Sequence, residues 1–227
     1  MARTDASRNL VCHDAPKSSI AEMYRVLRTN LEFASLDSEI KRVVVTSSIP
    51  GEGKTTTTSN LAVVNAQLGK RTLLIDADLR RPMIHRMFRL SNVHGLTSVL
   101  IRQSQQDDAI QQTDVPNLSV LTSGPIPPNP AEVLGSSAMK GLLEQLSSRY
   151  DLILLDTPPV LSVTDARLLA TASDGVLYVV GAGQVSRQTL RKAAQALSVV
   201  NARILGTVLN NKKLSKAEQQ YYYYHYE

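Results

Sequence analysis

Val43-Val44-Val45-Thr46-Ser47-Ser48-Ile49-Pro50-Gly51-Glu52-Gly53-Lys54-Thr55-Thr56 is the stretch that decides the fold. An apolar run passes into a glycine-containing turn, and the turn passes into a helix opened by a lysine and threonines. That strand, loop and helix order is the context of a phosphate-binding P-loop. Gly51 and Gly53 let the main chain curl until successive N–H groups face one point, and the positive end of the following helix adds its attraction for an anion. Lys54 is placed to reach the β- and γ-phosphates, and the Thr55 hydroxyl to ligate Mg²⁺. Ser48 stands where the usual pattern has its first glycine, which is tolerable because the later glycines make the tight approach.

Two further motifs end apolar runs. Thr72-Leu73-Leu74-Ile75-Asp76-Ala77-Asp78-Leu79-Arg80 puts two carboxylates at the mouth of one strand, and Leu152-Ile153-Leu154-Leu155-Asp156-Thr157-Pro158-Pro159 puts a third at the mouth of another. In an open parallel sheet, ligands bind beyond the carboxyl ends of the strands, where all three acids would gather around a nucleotide. Asp156 then serves as the Walker B carboxylate, holding Mg²⁺ directly or through water. Asp76 and Asp78 are candidates for a second magnesium contact and for accepting a proton from an attacking hydroxyl, and their spacing leaves the order of these roles open. A lone aspartate after an apolar run is usually a turn former; three motifs in this order are more than that.

Strand-like runs are expected at 42–47, 71–76, 118–122, 150–156, 175–181 and 204–209, with helical patterns at 55–68, 137–148, 163–172 and 186–200 between them. Near-continuous apolar strands alternating with amphipathic helices mark an α/β protein of the P-loop NTPase fold, a mostly parallel central sheet with helices on both faces. We divide the chain into an N-terminal arm (1–17), a P-loop domain (18–210) and a polar, tyrosine-rich tail (211–227). The segment from Pro125 to Pro130 reads as a rigid loop rather than a linker, since helical patterning resumes at once. Ile20, Met23, Tyr24, Leu27 and Leu31 make one apolar helical face, with Glu22, Arg25 and Arg28 beside it. The plain account of those charges is an intrahelical pair worth ~0.2–0.5 kcal/mol.

The set Pro50-Gly51-Glu52-Gly53-Lys54-Thr55, Asp76-Ala77-Asp78-Leu79-Arg80 and Asp156-Thr157-Pro158 resembles the Walker A, Walker A′ and Walker B motifs of bacterial tyrosine kinases. Glu22-x-x-Arg25-x-x-Arg28, the stretch from Ser123 to Glu132, and the cluster Tyr221-Tyr222-Tyr223-Tyr224-His225-Tyr226 extend the resemblance over nearly the whole chain. It implies an ATP- and Mg²⁺-dependent protein-tyrosine kinase of capsule or exopolysaccharide synthesis that phosphorylates its own tail between subunits, in the form that has no fused membrane activator. Catalysis would fall to Lys54, Asp76, Asp78 and Asp156. Nucleotide would be held by the main chain of Gly51, Glu52, Gly53, Lys54, Thr55 and Thr56, and Mg²⁺ by Thr55, Asp76 and Asp156. The tail tyrosines 221–224 and 226 would be the phosphoacceptors. The resemblance also tips Glu22, Arg25 and Arg28 toward packing between subunits of a ring. It implies a separate transmembrane activator or polysaccharide co-polymerase, a tyrosine phosphatase and other protein substrates as partners. Arg80 either holds the phosphates or orients the aspartates, or does neither as one of a surface Arg80-Arg81 pair. Asn210, at the end of the last apolar strand, either meets the adenine edge or simply terminates the strand.

Composition sets bounds on these readings. The 227 residues are 43% hydrophobic, ample for one α/β core, and no run approaches a membrane span. The N-terminus lacks a signal-peptide core, so the expected location is the cytoplasm, with recruitment to the inner membrane face by a partner. The single cysteine, Cys12, has no partner for an internal disulfide and reads as inert on a loose arm. A net charge of +5 favours anionic partners without pointing to nucleic acid, because zinc-finger spacing and an aromatic RNA-binding signature are both lacking. Five tyrosines in six terminal positions have no periodicity that could bury one face, and each phosphate would add about −1.5 to −2 charges. The competing reading within the same fold is a ParA- or MinD-like positioning ATPase that uses nucleotide as a dimerisation switch. Such proteins carry a signature lysine where this chain has Ile49.

Overall fold

The structure is a computed structural model that describes residues 10–34 and 39–213. Its elements, in chain order, are α1 (Val11–Asp14), α2 (Ser19–Phe33), β1 (Arg42–Ser47), α3 (Lys54–Gln67), β2 (Thr72–Asp76), α4 (Ile84–Phe88), α5 (Leu96–Leu100), α6 (Gln106–Ala109), β3 (Ile110–Gln112), β4 (Leu118–Leu121), α7 (Pro130–Leu134), α8 (Ser137–Ser147), β5 (Leu152–Asp156), α9 (Asp165–Ala170), β6 (Gly175–Gly181), α10 (Arg187–Ser198) and β7 (Ile204–Asn210). The strands form one sheet in the order β3-β4-β2-β5-β1-β6-β7, parallel except for the edge strand β3. This is the P-loop NTPase architecture expected from the motif order. The short polar strand β3 was not expected.

Alternation along the strands sorts their side chains onto two cores, because successive Cβ atoms point to opposite faces. Val44, Leu73, Ile75, Ile153, Leu155, Val176 and Tyr178 pack under α8, α9 and α10. Val43, Val45, Leu74, Leu152, Leu154, Leu177 and Val179 pack against α1 to α4. Both faces are covered, so the strands read as continuous apolar runs. Each fully buried Leu, Ile or Val contributes about 1.5–3 kcal/mol.

Helix α3 departs from the expected amphipathic pattern. It runs through the interior, burying Thr57 to Ala66 on every side, and its polar residues turn back on their own helix. Thr58 Oγ1 donates to the Lys54 carbonyl at 2.7 Å, Asn60 Nδ2 to that of Thr56 at 2.9 Å, and Asn65 Nδ2 to that of Leu61 at 2.8 Å. A buried polar group costs little only when it is bonded in this way.

Residues 10–14 are not loose. Leu10 and Cys12 are buried, the Cys12 N–H donates to Asn60 Oδ1 at 2.9 Å, and Gln67 Nε2 donates to the Cys12 carbonyl at 3.1 Å. Burial, opposed by the nearby Arg25 charge, pushes the Cys12 thiol up to about 12, so it stays protonated and unreactive.

The topology opens a crevice. From β1 the chain crosses to β2 on the far side of β5, whereas from β5 it crosses β1 to reach β6. Such a reversal of direction leaves space beyond the carboxyl ends of β1 and β5, and β1 delivers the glycine turn there. The register sets Asp76 opposite Asp156 and Val45 opposite Asp156, so both acids emerge beside that turn.

Candidate active site

The turn from Ser48 to Gly53 is built on left-handed glycines. Gly51 has φ of 87° and Gly53 of 89°, a region that side chains rarely tolerate. Gly53 carries a second constraint, since a Cβ there would lie 1.9 Å from Asn210 Nδ2. Ser48, in place of the first glycine, is buried, and its hydroxyl meets that of Tyr178. Gly53 caps α3 with its first-turn N–H groups free to face an anion. Thr56 lies in that first turn.

Lys54 and three aspartates meet above this turn. Lys54 Nζ donates to Asp78 Oδ2 at 3.1 Å and lies 4.0 Å from Asp156 Oδ2. Burial disfavours its charge, but the carboxylates of Asp156, Asp78 and Asp76 outweigh that, and its pKa stands above the ordinary lysine value. The Thr55 hydroxyl donates to Asp156 Oδ2 at 2.7 Å, and the Thr58 hydroxyl oxygen, whose proton goes to the Lys54 carbonyl, lies 3.3 Å from Asp156 Oδ1. Burial raises the Asp156 pKa against the opposing pull of Lys54 and Thr55. Asp76 is the most perturbed: burial, reinforced by the Asp156 charge, lifts it to about 8. Its Oδ2 accepts the N–H groups of Met83 and Ile84 at 3.0 Å each, while its buried Oδ1 has no hydrogen-bond partner.

That orphaned oxygen tests the fit of a cation. Buried carboxylates pressed together near a hydroxyl are what a divalent ion relieves, and Thr55, Asp76 and Asp156 offer the hard oxygen ligands that Mg²⁺ prefers. Mg²⁺ takes one or two carboxylates and leaves the rest of its shell to water and phosphate. A cleft of about 420 Å³ opens in front of these groups, walled by Pro50, Gly51, Lys54, Thr55, Arg80 and Met83 among others. A larger hollow of about 560 Å³ between α5, α6 and α8 lies away from this chemistry.

Other candidates fall in unexpected settings. Arg80 lines the cleft, yet its guanidinium is held by Asp165, with Nε to Oδ2 at 2.9 Å and Nη2 to Oδ1 at 3.1 Å. Asp165, fully buried at the start of α9, carries no motif signal in the sequence. The Glu52 side chain is turned into the fold, leaving its main chain to line the turn. Asn210 Nδ2 donates to the Glu52 carbonyl at 3.0 Å, which places it beside the turn at the end of β7. On α2, Arg25 pairs with Glu22 at 2.7 Å, and Arg28 Nη1 donates to the Val64 carbonyl at 3.3 Å. The tail tyrosines, 221–224 and 226, lie outside the described residues.

A family model described as an AAA domain matches residues 40–215. The tyrosine-protein kinase YwqD of Bacillus subtilis (strain 168) is 50% identical over 209 residues, covering 92% of this chain and 88% of that protein. Among solved structures, the chimerical protein CapA2B2 superposes with a TM-score of 0.88 at 42% identity, covering 91% of each chain. The kinase domain of the Escherichia coli tyrosine kinase ETK superposes with a TM-score of 0.85 at 35% identity, covering 91% of this chain and 82% of that one. With its motifs gathered at one crevice and relatives matched over nearly their full length, the chain belongs to the family of bacterial tyrosine-protein kinases.

Proposed function

We propose that the chain is an ATP-dependent protein-tyrosine kinase whose acceptors are the tyrosines of its own C-terminal cluster, presented by a neighbouring copy. The phenol oxygen attacks the γ-phosphorus, the bond to the bridging β–γ oxygen breaks, ADP leaves, and the phenol proton passes to Asp76 or Asp78. Main-chain N–H groups from Gly51 to Thr55 and the Lys54 ammonium hold the phosphates and stabilise charge on the moving phosphoryl group. Thr55, Asp76 and Asp156 would hold Mg²⁺, which supplies charge neutralisation across the β- and γ-phosphates. Arg80, fixed by Asp165, borders the phosphate end of the cleft, and Asn210 stands where the adenine edge would come. Glu22, Arg25 and Arg28 join subunits into a ring. The activity regulates capsule or exopolysaccharide synthesis, is stimulated by a separate membrane activator and is reset by a phosphatase. A partner would bring the kinase to the bilayer; among the described residues no helix is long and apolar enough to cross a membrane.

What supports this reading most is one contact set: Lys54 between Asp78 and Asp156, with Thr55 bonded to Asp156 at 2.7 Å. It brings a lysine, a hydroxyl and carboxylates together at one wall of the cleft. The test is incubation of the purified protein and of Lys54→Met with labelled ATP. Label on tyrosine in the wild type and none in a folded Lys54→Met protein is expected. Release of all label as free phosphate would replace the kinase with an ATPase switch, and undiminished phosphotyrosine in Lys54→Met would sink the assignment of Lys54.

A further inference from the structure

Glu52 is fully buried within a turn that must receive a polyanion. A carboxylate beneath a phosphate cradle opposes the ligand electrostatically, so its position calls for a reason other than affinity. Its contacts supply one. Oε2 reaches back three residues to accept the N–H of Ile49 at 2.9 Å, and Oε1 accepts the N–H of Gly181, at the end of β6, at 3.0 Å. Both oxygens are therefore taken by main-chain donors from two separate segments. The main chain of the same residue is tied as well. Its carbonyl accepts Asn210 Nδ2 at 3.0 Å, and the Asn210 carbonyl accepts the Ala182 N–H at 2.8 Å. Gly181 and Asn210 are paired across β6 and β7, so one residue lashes the turn to the ends of two strands.

We infer that Glu52 is a positioning residue of the phosphate cradle. Its carboxylate fixes the curl from Ile49 to Gly53 so that the N–H groups of residues 51–55 stay aimed into the cleft before any nucleotide arrives. The side-chain chemistry is particular to glutamate. Two acceptor oxygens are needed at once; glutamine offers one and sets an amide against a main-chain donor, and aspartate is a methylene too short to span both. A merely packed side chain would need neither oxygen. Gly51 and Gly53 take their left-handed φ at no steric cost and equally readily leave it, so the two bonds to Glu52 are what holds the curl when no phosphate is present.

This inference rests on the ATP-binding reading of the site, and its test separates the two. Binding of ADP and of adenosine, each with Mg²⁺, is measured by titration calorimetry for the wild type and Glu52→Gln. A cradle held by Glu52 predicts that ADP binds about tenfold or more weakly to the variant, since misaimed amides lose their charge-assisted bonds. Adenosine, which lacks phosphates, should lose at most twofold. Equal ADP affinity in the two proteins, or an equal loss for both ligands, would overturn the positioning role. A wild type that binds no ADP would overturn the nucleotide reading and this inference with it. Should Glu52→Gln fail to fold, amide hydrogen exchange on the nucleotide-free wild type decides: Ile49 and Gly181 are expected to exchange slowly, and rapid exchange at both would exclude the clamp.

Discussion

Asp76→Asn should stabilise the nucleotide-free protein, and more at alkaline pH than at acid pH. The Asp76 carboxyl is fully buried and its pKa rises from 3.8 to about 8, first by burial and then by the Asp156 charge. For an acid raised in the folded state, the contribution to stability is fully present below the unfolded value and is lost as pH rises through the folded one. Between those values the unfolded chain is ionised while the folded chain keeps its proton. From about pH 5.5 to about pH 8.5 the cost grows by about 2.4 pKa units, or on the order of 3 kcal/mol at about 1.4 kcal/mol per unit. Asparagine keeps an oxygen for the N–H groups of Met83 and Ile84 and never ionises. Asparagine also carries no charge to oppose that of Asp156, which acts in the same direction. Urea unfolding of both proteins in EDTA, at about pH 5.5 and about pH 8.5, therefore should give a stabilisation that is about 2–3 kcal/mol larger at the higher pH. The same variant should lose kinase activity. A stabilisation that does not change with pH would refute the raised Asp76 pKa and, with it, the case that a cation is needed to relieve this cluster.

Changing Tyr221, Tyr222, Tyr223, Tyr224 and Tyr226 together to Phe should remove nearly all autophosphorylation while preserving ATP binding; phosphopeptide mapping that puts most label on Tyr24, Tyr150 or Tyr178 would contradict it. Replacing Glu22, Arg25 and Arg28 with Ala should cost the monomer about 2–3 kcal/mol, since one partly buried helix pair and two bonds to main-chain carbonyls, those of Pro16 and Val64, are lost, yet abolish the oligomer in light scattering. An unchanged oligomer would leave these residues as intrachain contacts. Asp165→Asn should free Arg80 from its two-point hold, destabilise by about 1 kcal/mol after discounting for the exposure of the arginine, and raise the KM for ATP several-fold. Unaltered kinetics would confine the pair to a structural role.

The sheet was legible because its signal is local. Continuous apolar runs of five or six residues ending in Ser47, Asp76 and Asp156, too short for helices, have the pattern of strands buried on both faces, and their boundaries matched the structure to within two residues. Lys54, Thr55, Asp76, Asp78 and Asp156 were legible because strand ends gather at one crevice whatever the loops do. Asp165 was not, since nothing in the spacing of Arg80 and Asp165 says that the segments after β2 and β5 will cross. The side-chain direction of Glu52 was hidden for the same reason: its second partner, Gly181, is 129 residues away. Residues 10–14 read as loose because a four-residue helix has no measurable period, and its order comes from Asn60 and Gln67 on a helix that forms later in the chain.

The nucleotide-free site is arranged to neutralise itself, and this constrains how a ligand enters. In the proposed ATP-binding role Lys54 would exchange its bond to Asp78 for one to phosphate, so its loss of one anion would be matched by the gain of another and its charge would not be left unpaired in the interior, where that would cost several kcal/mol. Asp78 then faces the cleft with one oxygen still accepting the Arg81 N–H at 3.0 Å and the other released. Thr55 takes part in the same exchange. Its hydroxyl hydrogen points to Asp156 and its oxygen accepts Lys54 Nζ at 3.3 Å, so the lone pair that Lys54 would give up on turning to phosphate becomes available to a cation. Phosphate and cation would thus enter in concert: the phosphate would draw Lys54 away from Asp78 and from the Thr55 oxygen, and the cation would meet that oxygen together with a carboxylate oxygen on Asp76 that has no other partner. The arrangement favours binding of the two together, because each supplies the charge that the other's arrival leaves uncompensated.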